Sequence, residues 1–82
     1  MLTIEHSKNF LKAVCKIKNS ALKDKVKKQI EKVSKNPEIG KPMKYSRKGT
    51  RELYIGAFRL AYAYIEKDAT LVFLELYHKD EQ

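Results

Sequence analysis

The chain predicts an α+β fold: a short N-terminal strand and an antiparallel α-hairpin packed on one face of an antiparallel β-sheet. Three observations lead there. Up to residue 35 the apolar side chains recur at helical spacing, and beyond residue 50 they alternate with period two. Between these halves lies a stretch broken by Asn36-Pro37, Gly40, Pro42 and Gly49. The length of 82 residues, 43% of them hydrophobic, suits one core, so residues 1–82 read as a single domain.

Leu2-Thr3-Ile4 is a short β-prone start, and Ser7 then offers a helix N-cap. Phe10, Leu11, Val14 and Ile17 define one face of a first helix over residues 8–18, with lysines on the remaining positions. Asn19-Ser20 breaks and recaps the chain. Leu22, Val26, Ile30 and Val33 form the narrow stripe of a second helix over residues 21–35. It stops before Pro37, because proline disfavours the helical conformation in the residue preceding it. Two amphipathic helices joined by a two-residue break read as an α-hairpin.

After a linker over residues 38–49, Leu53 and Ile55 alternate with Glu52 and Tyr54. Gly56-Ala57 is a tight turn. Phe58, Leu60, Tyr62 and Tyr64 then alternate with Arg59, Ala61, Ala63 and Ile65. The polar run Glu66-Lys67-Asp68 is a turn, and the nearly continuous apolar run over residues 71–76 reads as a central strand. With the large apolar residues of the strand at 58–65 facing the helices, Arg59 falls on the opposite, open face beside the small Ala61 and Ala63. A bulge would reverse that assignment.

Net charge is +8, and it is uneven. Residues 1–50 hold 14 Lys or Arg against 4 acids, and residues 51–82 hold 4 against 6. A field of this kind favours anionic partners, or else marks solvated helix faces. No apolar run is long enough for a membrane span, and the second helix lacks the interfacial aromatics of a membrane-surface helix. The N-terminus shows no secretory pattern, and Cys15 is alone, which places the chain in the cytoplasm. Zinc-protease, P-loop and nucleophile-elbow motifs are absent, and no metal or other cofactor is expected.

What remains is a set of cations with a few proton-transfer groups. The only three arginines, Arg47, Arg51 and Arg59, fall in one short stretch of a lysine-rich chain. A guanidinium is a planar fork that holds two phosphate oxygens, unlike an ammonium. Arg59 lies inside an apolar strand, as a phosphate ligand or as an edge-strand ion pair. Arg51 pairs either with Glu52 or with a phosphate. Lys44, Arg47 and Lys48 flank Tyr45, a pattern that suits single-stranded nucleic acid or a solvated loop. His78, between Tyr77 and Lys79, is a proton donor or acceptor near neutrality, or an inert terminal histidine. Glu52 is a base or a strand-surface ion-pair partner. Tyr62 and Tyr64 read as core.

Several strings in order resemble the RelE/ParE toxin superfamily. They are Asn36-Pro37, Gly40-Lys41-Pro42-Met43-Lys44, Gly49-x-Arg51-Glu52-Leu53-x-Ile55-Gly56, Phe58-Arg59-Leu60-Ala61-Tyr62 and Tyr77-His78-Lys79. The resemblance covers nearly the whole chain. It implies a RelE-like fold and the toxin of a type II toxin–antitoxin pair, neutralised in a hetero-oligomer by a cognate RelB-like antitoxin. In the RelE-like branch it implies metal-independent cleavage of mRNA in the ribosomal A site, by attack of a ribose 2′-hydroxyl on the adjacent phosphate. Arg59 would then stabilise the phosphorane, and His78, in a Tyr77-His78 pair like that of YoeB-like members, would protonate the leaving oxygen. Lys79 matches the basic residue that some members place after the last strand, and Arg51, Lys44, Arg47 and Lys48 would hold flanking phosphates. The chain departs from RelE in carrying Glu52 and Tyr54 where that branch has two lysines, and in lacking its late tyrosine. A variant arrangement of Glu52 with His78 is the expectation. The ParE branch, which inhibits DNA gyrase, and a non-enzymatic binding member are the alternatives.

Overall fold

The computed structural model describes residues 2–42 and 49–81, without the side chain of Glu81. Lys44, Arg47 and Lys48, three of the expected phosphate contacts, lie outside the described residues. The elements follow one another as β1 (Thr3–His6), α1 (Lys8–Lys16), α2 (Ser20–Lys35), β2 (Lys41–Pro42), β3 (Thr50–Ile55), β4 (Phe58–Ile65) and β5 (Thr70–His78). Short 3₁₀ turns cover Glu66–Asp68 and Lys79–Glu81. No helix among the described residues is long and apolar enough to cross a membrane.

The helices form where the apolar spacing and caps put them. Ser7 Oγ accepts from the Phe10 N–H at 3.0 Å and starts α1. Asn19 Oδ1 accepts from the N–H groups of Ala21 and Leu22, at 2.9 and 3.1 Å, and starts α2. These caps satisfy donors that a helix start otherwise leaves open. α1 ends at Lys16, two residues short of expectation, because Ile17 is already extended and bonds back to Val14 O. α2 ends at Lys35, where Asn36 caps it ahead of Pro37.

The five strands make one sheet in the order β1-β5-β4-β3-β2. The expected antiparallel sheet is corrected at one edge, since β1 runs parallel to β5. The physical reason lies in the connection: the α-hairpin carries the chain from β1 across one face of the sheet to its far edge, and β5 returns beside β1. Two pieces of sheet were not foreseen. Lys41–Pro42 pairs with Arg51 and Glu52 as β2, and β5 runs on through Tyr77 and His78.

The core lies between the hairpin and the sheet. Val26 and Val33 of α2 and Phe10 of α1 close over Ile55, Leu60, Tyr62, Leu71, Phe73 and Leu76. The Phe10 and Phe73 rings stack at 5.3 Å between centroids. Arg51 is directly opposite Tyr62, Leu53 opposite Leu60, and Ile55 opposite Phe58, so one face of β3 and β4 is turned to the helices. On the β5 side the register slips between Ala61 and Tyr62, which pair with Glu75 and Phe73. Leu74 is the extra residue of this bulge. Its carbonyl accepts from Ser7 Oγ, and the Phe73 carbonyl from the Ser7 N–H at 2.9 Å. The helix cap thus satisfies the backbone that the bulge leaves unpaired. The bulge falls on β5, so the alternation of β4 is intact and Arg59 keeps the open face.

Tyr62 is sealed from solvent. Its hydroxyl donates to Pro37 O and accepts from the Gly40 N–H, both at 2.8 Å. Burial raises its pKa above the ordinary 10.0, an effect partly offset by the Gly40 N–H and the Arg51 guanidinium. A Cβ at Gly40 would lie 2.4 Å from that hydroxyl oxygen, which is why a glycine stands there. Tyr64 is half-buried at the rim of the same core.

Candidate functional site

Across the open face the register sets two rows of side chains. Arg59 on β4 is flanked by Tyr54 on β3 and Tyr77 on β5, and Glu52, Ala61 and Glu75 form the next row. The Arg59 guanidinium lies over the Tyr54 ring, 3.9 Å from Cζ to the ring centroid. Its Nη1 donates to Gly56 O at 3.2 Å and Phe58 O at 3.0 Å. Among the described residues Nη1 is the guanidinium nitrogen so bonded, and Nη2 and Nε are left as donors for a phosphate. The ring face attracts the cation, and the planar fork offers a bidentate geometry that lysine cannot reproduce.

The Tyr77 hydroxyl donates to Glu52 Oε2 in a short hydrogen bond. That bond ties the carboxylate to the row that holds Arg59. Glu52 Oε1 remains an acceptor, and Ala61, between the two carboxylates of its row, provides a floor without a long side chain. The result is two carboxylates, a guanidinium and two phenol rings, with Lys41 paired beside Glu52. Such a set can accept a proton, hold an anionic oxygen and stack a flat ring.

Other expected site residues lie elsewhere. Arg51 is on the helix-facing side, opposite Tyr62, where its Nη1 donates to Glu38 O at 3.0 Å and Gly40 O at 2.8 Å. It braces the chain after α2 and is not brought to Arg59. Lys79 opens the terminal turn as an exposed side chain, and its N–H bonds to Ala57 O at 2.9 Å. His78 pairs with Phe58 across β4 and β5, with the two rings edge to face at 5.3 Å. Tyr77 and His78 are therefore on opposite faces, and the expected combination of Glu52 or Arg59 with His78 is not assembled on one surface. Cys15, beside the helix stripe and not in it, is exposed.

Sequence reasoning missed Tyr54 as the ring beneath the guanidinium. The signal was available. In a two-residue hairpin around Gly56-Ala57, residues 54 and 59 must pair, and both are then on the face opposite Leu53 and Leu60.

A family model described as "ParE toxin of type II toxin-antitoxin system, parDE" matches residues 4–82 of the chain. Among solved structures, the fold is similar to a chain of the intact Escherichia coli RelBE toxin–antitoxin complex. The TM-score is 0.80 at 16% identity, covering 95% of this chain and 96% of that one. It is also similar to a chain of the RelBE2 complex of Mycobacterium tuberculosis, with a TM-score of 0.77 at 24% identity over 94% and 96% of the two chains. The archaeal RelE–RelB complex of Pyrococcus horikoshii OT3 gives 0.78 at 17% identity over 99% and 98%. At these identities the structural likeness establishes the fold. Comparison with curated proteins finds no match.

Proposed function

The chain belongs to the ParE toxin family of type II toxin–antitoxin systems, within the RelE/ParE superfamily, and from that premise we propose that it inhibits translation by cutting messenger RNA in the ribosomal A site. The observation that carries this reading is the convergence of Glu52, Arg59, Tyr54 and Tyr77 on the open face of the sheet.

The chemistry follows from these groups. A ribose 2′-hydroxyl gives its proton to Glu52, and its oxygen bonds to the adjacent phosphorus. The P–O5′ bond breaks, leaving a 2′,3′-cyclic phosphate, and the departing 5′-oxygen takes a proton from water. Arg59 Nη2 and Nε neutralise the charge that builds on the phosphorane oxygens. Tyr77 holds the Glu52 carboxylate in place through Oε2, and Tyr54 keeps the guanidinium plane aligned. Lys44, Arg47, Lys48 and Lys79 are assigned to flanking phosphates, a sequence-independent attraction. Arg51 is left out of this set because its guanidinium bonds to the carbonyls of Glu38 and Gly40. His78 is left out because it faces the helices. The partner in the resting state is a RelB-like antitoxin in a hetero-oligomer, and the site of action is the cytoplasm.

Primer extension on ribosome-bound mRNA, with purified chain added, tests the reading. The expected result is fresh 3′ ends in the A site, with Arg59→Ala slowing cleavage by ~10²–10³. Intact mRNA with the unsubstituted chain overturns it. A second reading, inhibition of DNA gyrase, is favoured by the separation of His78 from Arg59 and by the name of the matching family model. Loss of gyrase supercoiling activity while mRNA stays intact would establish that one.

A further inference from the structure

The proposed cleavage site leaves His78 unused, on the other face of the sheet. There it lines a cleft of about 560 Å³ bounded by the end of α1, the start of α2 and the facing ends of β4 and β5. The walls of the cleft divide chemically. Lys12, Lys16, Lys18 and His78 supply cationic or hydrogen-donating nitrogens, and Ile17, Leu22, Phe58 and Leu76 supply an apolar side. No carboxylate lines it among the described residues. Lys12 and Lys16 are one turn apart on α1, a like-charge pairing that weakens a helix unless an anion lies between the two.

Two details orient the donors. The Asp80 N–H donates to His78 Nδ1 at 3.2 Å, so the proton of the neutral ring is on Nε2. The Asp80 carboxylate, 3.5 Å from the same Nδ1, is on that edge of the ring too, which makes Nε2–H the donor available to a ligand. Asn19 Oδ1 already occupies the N–H groups of Ala21 and Leu22, so an anion here is held by side chains and not by the start of α2.

We propose that this cleft binds a free mononucleotide: a phosphate held among Lys12, Lys16, Lys18 and His78, with its base laid against the apolar side at Phe58. A cleft of this volume suits a small organic ligand, and inorganic phosphate would leave the apolar side uncovered. Three lysines and a histidine match a dianionic phosphate monoester better than a single carboxylate. The proposal does not rest on the cleavage chemistry of the open face. Tyr77 alone borders both regions, and its hydroxyl is turned to Glu52.

The test is a titration of the full-length, isotope-labelled chain with AMP, adenosine and inorganic phosphate, followed by amide chemical shifts. AMP is expected to move the amides of residues 16–19 and 76–78 and to bind at least about tenfold more tightly than adenosine or phosphate, since each of these lacks half the contacts. The double variant Lys12→Gln/Lys16→Gln alters exposed positions only, and His78→Phe keeps the ring packing on Phe58. Each is expected to weaken AMP about fivefold to tenfold. Shifts confined to Tyr54 and Arg59, equal affinity for AMP and phosphate, or unchanged affinity in both variants overturns the proposal. So does a 5′-phosphorylated oligoribonucleotide that binds here when AMP does not, which would assign the cleft to the end of an RNA strand.

Discussion

On the helix-covered face of the sheet, Leu60, Tyr62, Leu71 and Phe73 are sealed from water, with every side chain against another element. On the other face no helix among the described residues covers the row Tyr54, Arg59, Tyr77, and Tyr54 is 57% exposed. The same strands build both. Arg59 and Leu60 are adjacent in sequence, yet one presents a cation on the face away from the helices and the other closes the core. If the proposed site is right, stability and function are interleaved at single-residue spacing, and neighbouring substitutions should separate them cleanly.

The largest expected effect is on the open face. Glu52→Gln keeps the shape and the hydrogen bond from Tyr77 but removes the base, so cleavage of ribosome-bound mRNA should fall by ~10²–10⁴. The melting temperature should stay close to that of the parent chain, since Glu52 is outside the core. A variant that melts early would break the comparison, because Glu52 would then be holding the fold.

One position away from Arg59, the reverse is expected. Leu60→Ala opens a cavity in a site with no exposure, at a cost of about 2–5 kcal/mol by denaturant unfolding. Any of the variant that folds should still cut RNA, because its backbone places Arg59 as before. A folded Leu60→Ala chain without activity would show that the two faces are coupled.

Tyr62 sharpens the comparison through pH. Tyr62→Phe leaves the buried Gly40 N–H and the Pro37 carbonyl without their partner, which should cost about 1–3 kcal/mol at neutral pH. The folded protein holds the tyrosine proton more tightly than the unfolded chain does, because burial raises the folded pKa. That contribution is complete below the ordinary 10.0 and is lost as pH climbs through the raised value. The stability gap between parent and Tyr62→Phe should therefore narrow in melts above about pH 10. A gap that stays constant up to pH 11 would contradict a buried hydroxyl.

How much of this was legible in sequence depends on alternation. On β4, Phe58, Leu60, Tyr62 and Tyr64 alternate with Arg59, Ala61, Ala63 and Ile65, and the strand has no bulged residue of its own, so the face of Arg59 could be read directly. β5 could not be phased. Its run from Leu71 to Leu76 is apolar but for Glu75, with Leu74 bulged in its middle, and nothing in the string says that Tyr77 and His78 continue the strand. Hence the likeness of Tyr77-His78-Lys79 to a catalytic string did not translate into a shared surface. The parallel pairing of β1 was equally hidden, because four residues, Thr3–His6, carry little pattern and their partner is at the far end of the chain. Arg51 looked like a phosphate ligand because its bonding partners, two backbone carbonyls, leave no trace in side-chain identity.

The smallest expected effect tests the residue that sequence passed over. The Tyr54 side chain meets Arg59 through its ring face, with the guanidinium Cζ 3.9 Å from the centroid. An exposed cation–π contact contributes about 0.5–1 kcal/mol. Tyr54→Leu keeps an apolar side chain at the position and should lower stability by no more than that. If the stack serves to align the fork for phosphate, the rate of cleavage should fall about threefold to tenfold, and Arg59→Lys should lose activity without responding further to Tyr54→Leu, since an ammonium has no plane to align. The double-mutant cycle measures this. Additive losses would mean that Tyr54 acts on the RNA itself, as a stacking platform, and not through Arg59. In that case the two members of the row would contribute independently, and the open face would be a binding surface first and an aligned catalytic site second.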